Sequence, residues 1–173
     1  MKYKELGNSG EFISSIGQGC MGIGGKFEKN TFNDSEFLWA LEYGIDLGMT
    51  FLDTAEVYAS GHSETLVGKA SYRKRDKVFI ATKFSPENSN YDNVLNSAEN
   101  SLKRLNTSHI DLYQIHWPNP SIPLSETMMA LEKLVNEGKV RFVGLSNFNK
   151  QEMEEAKNYL NPIKIVSNQV EYN

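Results

Sequence analysis

The sequence has very little of several features that would restrict its location or class. Its only cysteine is Cys20, so no disulfide can form within the chain, which fits a reducing compartment. No apolar run approaches the roughly 20 residues that a membrane-spanning helix requires. The first residues, Met1 to Glu5, contain no apolar segment typical of a signal peptide. We therefore expect a cytoplasmic protein that does not enter membranes.

Positive charge is also in short supply. The chain carries 18 Lys and Arg against 22 Asp and Glu, a net charge of −4, which gives no attraction to nucleic acid or to an anionic membrane. A short basic run, 72–75, falls between a predicted helix and a predicted strand, and we interpret it as a solvated loop. No linker-like segment divides the 173 residues, so we expect one domain over 1–173. No metal site is predicted.

Apolar runs alternate with amphipathic segments along most of the chain. A β-hairpin is predicted over 2–14, around the turn sequence Leu6-Gly7-Asn8-Ser9-Gly10. Six strands are predicted at 16–21, 50–53, 78–82, 110–115, 140–145 and 165–170. Helices are predicted at 34–47, 63–70, 93–105, 125–137 and 150–160. Asp34, Ser63 and Ser125 are interpreted as N-cap residues, with a capping-box-like start at Ser63.

The strands are continuous apolar runs, a pattern typical of parallel sheets that are covered on both faces. Two architectures fit this pattern: a doubly wound open sheet, and a (β/α)8 barrel cut short. The segment Gly17–Gly22 matches the phosphate-binding spacing G-x-G-x-x-G of the first architecture. However, the first helix is expected only near residue 34, so that motif fails in its structural context.

Four polar residues follow or end successive predicted strands. Asp53, Lys83 and His116 stand at three strand ends, and Tyr58 lies in the loop after Asp53. Because the carboxyl ends of parallel strands meet at one mouth of a barrel, we expect these side chains to converge. Each could have an ordinary role alone, as a helix cap, a surface tyrosine, a rim lysine or a loop histidine. Their placement on successive strand ends favours a common site.

This combination of side chains suits carbonyl reduction. A tyrosine with a pKa near 10 is a poor proton donor, and a nearby ammonium such as that of Lys83 would lower this pKa. Asp53 would supply the counter-ion that a buried ammonium needs. His116 would donate a hydrogen bond that orients a carbonyl oxygen. Tyr58 is therefore predicted to be the general acid.

Several segments carry a family resemblance. The runs 51–58, 61–68, 80–83, 111–118 and 138–148 resemble the signature segments of the aldo-keto reductase family, in the order and with the spacing typical of that family. The resemblance implies a TIM-type (β/α)8 barrel that uses NADP(H) to reduce a small carbonyl substrate. It also implies that Tyr58 donates the proton and that Asp53, Lys83 and His116 complete a catalytic tetrad.

The resemblance implies roles for further residues. Residues expected to bind the cofactor are Gly19, Cys20, Met21, Asp53, Ser146, Asn147 and Gln169. Of these, Ser146, Asn147 and Gln169 would hold the nicotinamide carboxamide, although Ser-Asn after a strand also serves as a simple loop cap. Trp117 would line the substrate pocket together with Tyr58 and His116. Cys20 is expected to be a packed thiol rather than a nucleophile.

The predicted strands fall short of the family barrel. Six are predicted where the barrel has eight, in domains of about 250 residues. We expect strands seven and eight to be missing, with the aromatic residue that stacks on nicotinamide and the groups that bind the cofactor phosphates. The chain is interpreted as a fragment, or as a short form that closes by oligomerisation, with two open sheet edges and weak or no NADP(H) binding alone. The alternative function is a non-enzymatic regulatory relative, similar to the potassium-channel β-subunits. Substrate identity and oligomeric state stay open.

Overall fold

The protein begins with a β-hairpin, as the turn sequence predicts. A computed structural model describes residues 1–160 and 162–171. Strands β1 (Tyr3–Glu5) and β2 (Phe12–Ser14) pair antiparallel. At the hairpin turn Gly7 has φ of +56°, and an added Cβ there would lie 2.5 Å from the carbonyl oxygen of Val166. Glycine therefore permits both the turn and its close packing against the last strand.

Six parallel strands and five helices follow in alternation. The strands are β3 (Gly17–Gly19), β4 (Phe51–Asp53), β5 (Phe79–Phe84), β6 (Ile110–Ile115), β7 (Val140–Ser146) and β8 (Ile165–Gln169). The helices are α1 (Asp34–Asp46), α2 (His62–Ser71), α3 (Tyr91–Leu105), α4 (Leu124–Asn136) and α5 (Lys150–Tyr159). Short 3-10 helices cover Tyr58–Gly61, Tyr72–Lys77 and Pro86–Asn88. In the described part of the chain no helix is long and apolar enough to cross a membrane.

The strand order identifies the sheet as an incomplete barrel. The strands are neighbours in the order of the sequence, β3 to β8, whereas a doubly wound sheet reverses its order at the centre. In a flat sheet β4 and β8 would lie about 19 Å apart, four strand spacings. Instead, Gln169 Nε2 lies 3.3 Å from Asp53 Oδ2. The sheet is therefore strongly curled, a half-barrel, and the glycine motif at 17–22 opens no helix.

Two apolar layers hold the half-barrel together. Every residue of β5 and β6 is buried, which confirms that these strands are covered on both faces. The outer layer lies between the sheet and the helices, and it includes Ile80 and Leu145 of the strands and Leu131 of α4. The inner layer contains Phe79, Ala81 and Leu112, and Leu6 of the hairpin packs on it. The hairpin therefore closes the amino end of the barrel and leaves the carboxyl end open.

The predicted N-caps are wrong for three helices. Asp34 is the first residue of α1 rather than its cap, and both of its carboxylate oxygens lie 2.9 Å from His62 Nε2. Ser63 donates its hydroxyl to the Cys20 carbonyl, and α2 instead begins after Gly61, which has φ of +85°. Ser125 lies within α4, which follows Pro123. The side chains of Asp34 and Ser63 instead bond residues that are distant in the sequence.

The basic run at 72–75 is only partly the solvated loop that we predicted. It forms a 3-10 helix, and Tyr72 is exposed. Arg75, however, forms an ion pair of 2.7 Å with the buried Asp111 and donates to the carbonyls of Val78 and His109. Because a buried carboxylate needs a charged partner, this arginine is drawn into the amino end of the sheet.

Candidate active site

Alternation along the strands aims the predicted tetrad into the open end of the half-barrel. Phe51 and Phe79 pack in the inner layer, so Asp53 and Lys83, two and four residues later, face the same interior. His116 directly follows β6, and Tyr58 starts the 3-10 helix after β4. The structure therefore brings together all four residues that the sequence predicted to converge.

Lys83 and Asp53 form a buried ion pair. The Lys83 side chain is only 2% exposed, and its Nζ donates to Asp53 Oδ1 at 2.7 Å and to the Thr54 carbonyl at 3.0 Å. The Asp53 side chain is 15% exposed. The counter-ion predicted for Lys83 is thus in place, and it lies beneath the mouth rather than in solvent.

Tyr58 lies above this ion pair and beside the histidine. Its ring centre is 5.5 Å from Lys83 Nζ and 5.7 Å from the centre of the His116 ring, in an edge-on arrangement. Burial, followed by the Asp53 carboxylate, raises the pKa of Tyr58 to about 12. The expectation that this pKa lies below its usual value is therefore wrong, because burial and the Asp53 carboxylate together raise it. Tyr58 keeps its proton at neutral pH, the form that a general acid requires.

His116 is a neutral imidazole. Burial and the Lys83 ammonium lower its pKa to about 4. Its ring stacks on Trp117 with centres 3.7 Å apart. Nδ1 is buried without a hydrogen-bond partner among the described residues, which leaves Nε2 as the nitrogen free to bond a ligand. A neutral ring protonated on Nε2 can donate one hydrogen bond toward Tyr58 and the mouth.

An unusual turn, which no sequence pattern predicts, holds Tyr58 in place. Ala59 and Ser60 both have positive φ, 50° and 53°, in the left-handed region that residues other than glycine rarely adopt. The Ala59 amide donates to the Lys26 carbonyl at 3.0 Å, and the Ser60 hydroxyl donates to the Phe27 carbonyl at 2.9 Å. The loop after β3 is thereby fastened beside Tyr58. Strained backbone held in this way is common at functional sites.

The residues predicted to hold a carboxamide lie at the ends of β7 and β8. Ser146 Oγ donates to the Gln169 carbonyl at 3.0 Å, and Asn147 Nδ2 donates to the His116 carbonyl at 3.0 Å. Gln169 Nε2 reaches Asp53 Oδ2. These hydroxyl and amide groups supply both donors and acceptors, as a bound carboxamide would require, and they adjoin the tetrad. Asn147 also adopts the left-handed conformation, with φ of 63°, as a residue in a turn.

The segment predicted beside the cofactor passes next to Asp53. The Cys20 amide donates to the Asp53 carbonyl at 2.8 Å, and Met21 is exposed. Nothing lies within 4 Å of a Cβ built at Gly19, so the space beside its backbone is open. Burial raises the pKa of the Cys20 thiol to about 12, which supports the prediction of a packed thiol rather than a nucleophile.

Two buried polar residues near the tetrad have roles that the sequence did not predict. Gln114 Nε2 donates to Gln169 Oε1 at 3.4 Å, inside the barrel. Glu64, completely buried, accepts from Thr82 Oγ1 at 2.7 Å and from Arg104 Nε at 2.6 Å. A polar residue within the largely apolar run 110–115 is the signal that could have identified Gln114, whereas Glu64 stands among polar residues and offers no such signal. Among the described residues no group of three or more His, Cys, Asp or Glu side chains could hold a metal ion.

Comparison with known proteins agrees with this geometry. The sequence model of the Aldo/keto reductase family matches residues 15–173. The Aldo-keto reductase YhdN of Bacillus subtilis is 38% identical over 164 residues, which cover 89% of this chain and 49% of that protein. The Methylglyoxal reductase YeaE of Escherichia coli is 39% identical and is matched over 99% of this chain and 59% of its own. The chain thus spans about half to three fifths of the length of these relatives.

Solved structures show the same half-barrel. A thermostable aldo-keto reductase in complex with the inhibitor epalrestat superposes with a TM-score of 0.97 at 45% identity, over 100% of this chain and 63% of that one. An aldo/keto reductase from Klebsiella pneumoniae in complex with NADP and acetate gives a TM-score of 0.87 at 35% identity, over 99% and 59%.

Proposed function

The chain belongs to the aldo/keto reductase family, and from this premise we propose that it functions as an NADP(H)-dependent oxidoreductase that reduces aldehydes or ketones to alcohols. One observation carries the proposal. A protonated Tyr58 lies above the buried Lys83–Asp53 pair and beside a neutral His116, at the open end of the barrel. This is the arrangement that carbonyl protonation needs.

The residues at the mouth fit the cofactor that the proposal requires. Ser146, Asn147 and Gln169 would bind the nicotinamide carboxamide, and the open backbone at Gly19 would allow close approach. NADPH, when bound, supplies the hydride that adds to the carbonyl carbon. The Klebsiella pneumoniae relative in complex with NADP supports this choice of cofactor.

The chain's own residues would bind and protonate the carbonyl oxygen. His116 donates a hydrogen bond from Nε2 and so orients that oxygen beside the phenol of Tyr58. As the carbon gains hydride, the Tyr58 proton passes to the oxygen, which gives the alcohol and leaves a phenolate. The Lys83 ammonium, 5.5 Å from the ring centre, stabilises this phenolate because opposite charges attract strongly in a buried site. This stabilisation develops only as the reaction proceeds, which is what accelerates it.

The substrate would contact aromatic side chains on the mouth. Trp117 is half exposed and stacked on His116, so its free face is available to a small carbonyl compound. The Escherichia coli relative is named for methylglyoxal, which makes methylglyoxal the first substrate to test. We also propose that the chain acts as a single barrel domain and in the cytoplasm.

The experiment follows NADPH oxidation by the purified protein. We expect oxidation that depends on methylglyoxal or another small aldehyde, with an equal amount of alcohol formed. Cofactor binding without any carbonyl-dependent oxidation, across a panel of aldehydes and ketones, would contradict the proposal and favour the regulatory alternative.

A further inference from the structure

A row of residues crosses the inside of the half-barrel just above its apolar inner layer. Lys83, Gln114, Gly144 and Ser167 are register partners along β5 to β8. Leu112, two residues before Gln114 on β6, belongs to the apolar inner layer. Gln114 is only 2% exposed, and burying a polar side chain costs free energy unless it is hydrogen-bonded. The bonds that Gln114 makes therefore decide what its presence in this row achieves.

Gly144 leaves the space in which two of these side chains meet. Ser167 Oγ lies 3.3 Å from Gln114 Oε1, although the two residues stand on strands that flank β7. A Cβ built on Gly144 would lie 2.5 Å from Ser167 Oγ and 3.1 Å from Gln114 Oε1. The contact thus occupies the place that a side chain at 144 would take, and glycine permits it.

The Asp53 carboxylate sets the direction of the hydrogen bonds in this row. A carboxylate accepts hydrogen bonds and donates none, so Gln169 must turn its Nε2 toward Asp53 Oδ2, at 3.3 Å. Gln169 Oε1 then faces Gln114, whose Nε2 donates to it at 3.4 Å. Gln114 Oε1 is left to accept from the Ser167 hydroxyl. The bonds run in one direction, from Ser167 through Gln114 and Gln169 to Asp53.

Gln169 keeps one donor and one acceptor for a ligand. Its Nε2 carries a second N–H and its Oε1 a second lone pair, and the residue is exposed at the open end of the barrel. An amide ligand offers the complementary pair, a carbonyl oxygen and an N–H. If the bond from Gln114 were lost, Gln169 Oε1 would have no partner in this row, and the side chain would have to be ordered when a ligand binds.

We propose that Gln114 is a positioning residue for the cofactor, which holds the Gln169 side chain so that its free N–H and free lone pair meet the nicotinamide carboxamide. The proposal rests on the proposed function, because it takes Gln169 as a residue that binds NADP(H). Gln114 acts through Gln169 rather than by touching the cofactor. The gain is preorganisation, since a side chain that is already ordered loses less entropy on binding.

A cofactor analogue that lacks the amide nitrogen tests the proposal. In 3-acetylpyridine NADP⁺ an acetyl group replaces the carboxamide, so the carbonyl oxygen is kept but nothing donates to Gln169 Oε1. Binding of NADP⁺ and of the analogue is followed by NMR shifts in the purified protein, which also report weak binding. The unmodified protein should bind NADP⁺ about three- to tenfold more tightly than the analogue, the size of one hydrogen bond. Gln114→Met should remove most of this preference.

Two further variants separate positioning from packing. Ser167→Ala removes only the first donor of the series, so it should reduce the preference by a smaller factor, and it serves as the test if Gln114→Met does not fold. The matched control is Gln18→Met on β3. Gln18 donates to the carbonyls of Leu41 and Met49 on the helix side of the sheet, so the control should lower stability and leave the preference unchanged.

A measurement without ligand checks the orientation of Gln169 directly. Its side-chain amide signals should move in Gln114→Met and in Ser167→Ala, and they should keep their positions in Gln18→Met. Unchanged Gln169 signals in Gln114→Met would overturn the proposal whether or not cofactor binds.

The remaining outcomes distinguish this proposal from the proposed function. A preference for NADP⁺ that survives in Gln114→Met, or that Gln18→Met reduces equally, would overturn the positioning role alone. No saturable binding of NADP⁺ by the unmodified protein would also overturn it. A preference that depends on Gln114, in a protein without carbonyl-dependent NADPH oxidation, would uphold the positioning role and contradict the proposed function.

Discussion

Asp53→Asn is expected to be among the most destabilising substitutions at the mouth, and the burial of its partner Lys83 indicates how large the loss of stability is. Lys83 is 2% exposed, and its Nζ is paired with the carboxylate of Asp53. Replacing Asp53 by asparagine keeps the shape but leaves the buried ammonium without a counter-charge. Breaking a buried ion pair in this way costs about 3–5 kcal/mol in the free energy of unfolding.

Lys83→Met should cost less than Asp53→Asn. Asp53 is 15% exposed and still receives Gln169 Nε2 at 3.3 Å, so its carboxylate is less isolated when the lysine is removed. We expect a loss of about 1–3 kcal/mol, the usual penalty for leaving polar groups unsatisfied. The double variant should be more stable than Asp53→Asn alone, because it leaves no unpaired charge.

Urea denaturation of the four proteins measures this cycle. With a slope of about 2 kcal/mol/M, Asp53→Asn should lower the urea midpoint by about 1.5–2.5 M. The two single effects should sum to more than the effect of the double variant. Strict additivity, or an Asp53→Asn loss below about 1 kcal/mol, would refute the view that the pair is buried and mutually dependent.

Three other predictions follow from buried groups and close contacts. Arg104→Met should destabilise the protein by about 3–5 kcal/mol in urea, more than Glu64→Gln, because it leaves the buried Glu64 carboxylate uncompensated. Native His116 stays neutral from pH 6.5 down to about 4 while the unfolded chain takes up a proton, so stability should fall as pH falls through this window, and His116→Gln should reduce the slope of the urea midpoint against pH. Gly68→Ala should lower the melting temperature, because its Cβ would lie 2.4 Å from a main-chain carbonyl oxygen, whereas Gly19→Ala should leave the melt unchanged and weaken NADPH binding in a fluorescence titration. A larger loss of stability in Glu64→Gln than in Arg104→Met would contradict the first prediction. An equal pH dependence of the urea midpoint in His116→Gln and the unmodified protein would contradict the second. Equal melting temperatures of Gly68→Ala and Gly19→Ala would contradict the third.

The fold and the convergence of the tetrad could be predicted because both follow from local pattern. Apolar runs fixed the strands, and period-two alternation together with a common strand direction placed Asp53 and Lys83 in one interior. The sequential strand order then decided between the two architectures that the pattern had left open. The tight curl of the sheet, which brings Gln169 against Asp53, could not be predicted from the sequence.

Local pattern was insufficient to predict contacts wherever a side chain bonds a residue far along the chain. Asp34 pairs with His62 and Ser63 bonds Cys20, although both resemble helix caps in sequence. The prediction for the pKa of Tyr58 was wrong for a related reason. The direction of this shift depends on burial and on the nearby Asp53 carboxylate, which residue identity alone does not give.

Weak or no NADP(H) binding by the 173-residue chain alone stays a prediction. Fluorescence titration of this chain with NADPH checks it. Tight binding would contradict it.

Tyr58 as the proton donor is the central residue of the proposed mechanism. Tyr58→Phe removes only the phenolic hydroxyl, so the ring should still pack beside His116 and above Lys83. The decisive measurement is kcat for NADPH-dependent reduction of a small aldehyde, with the Kd for NADPH measured on the same samples. We predict a loss of kcat of about 100-fold or more, the usual contribution of a positioned general acid, with Kd unchanged. Undiminished turnover in Tyr58→Phe would contradict the assignment of Tyr58 as the general acid.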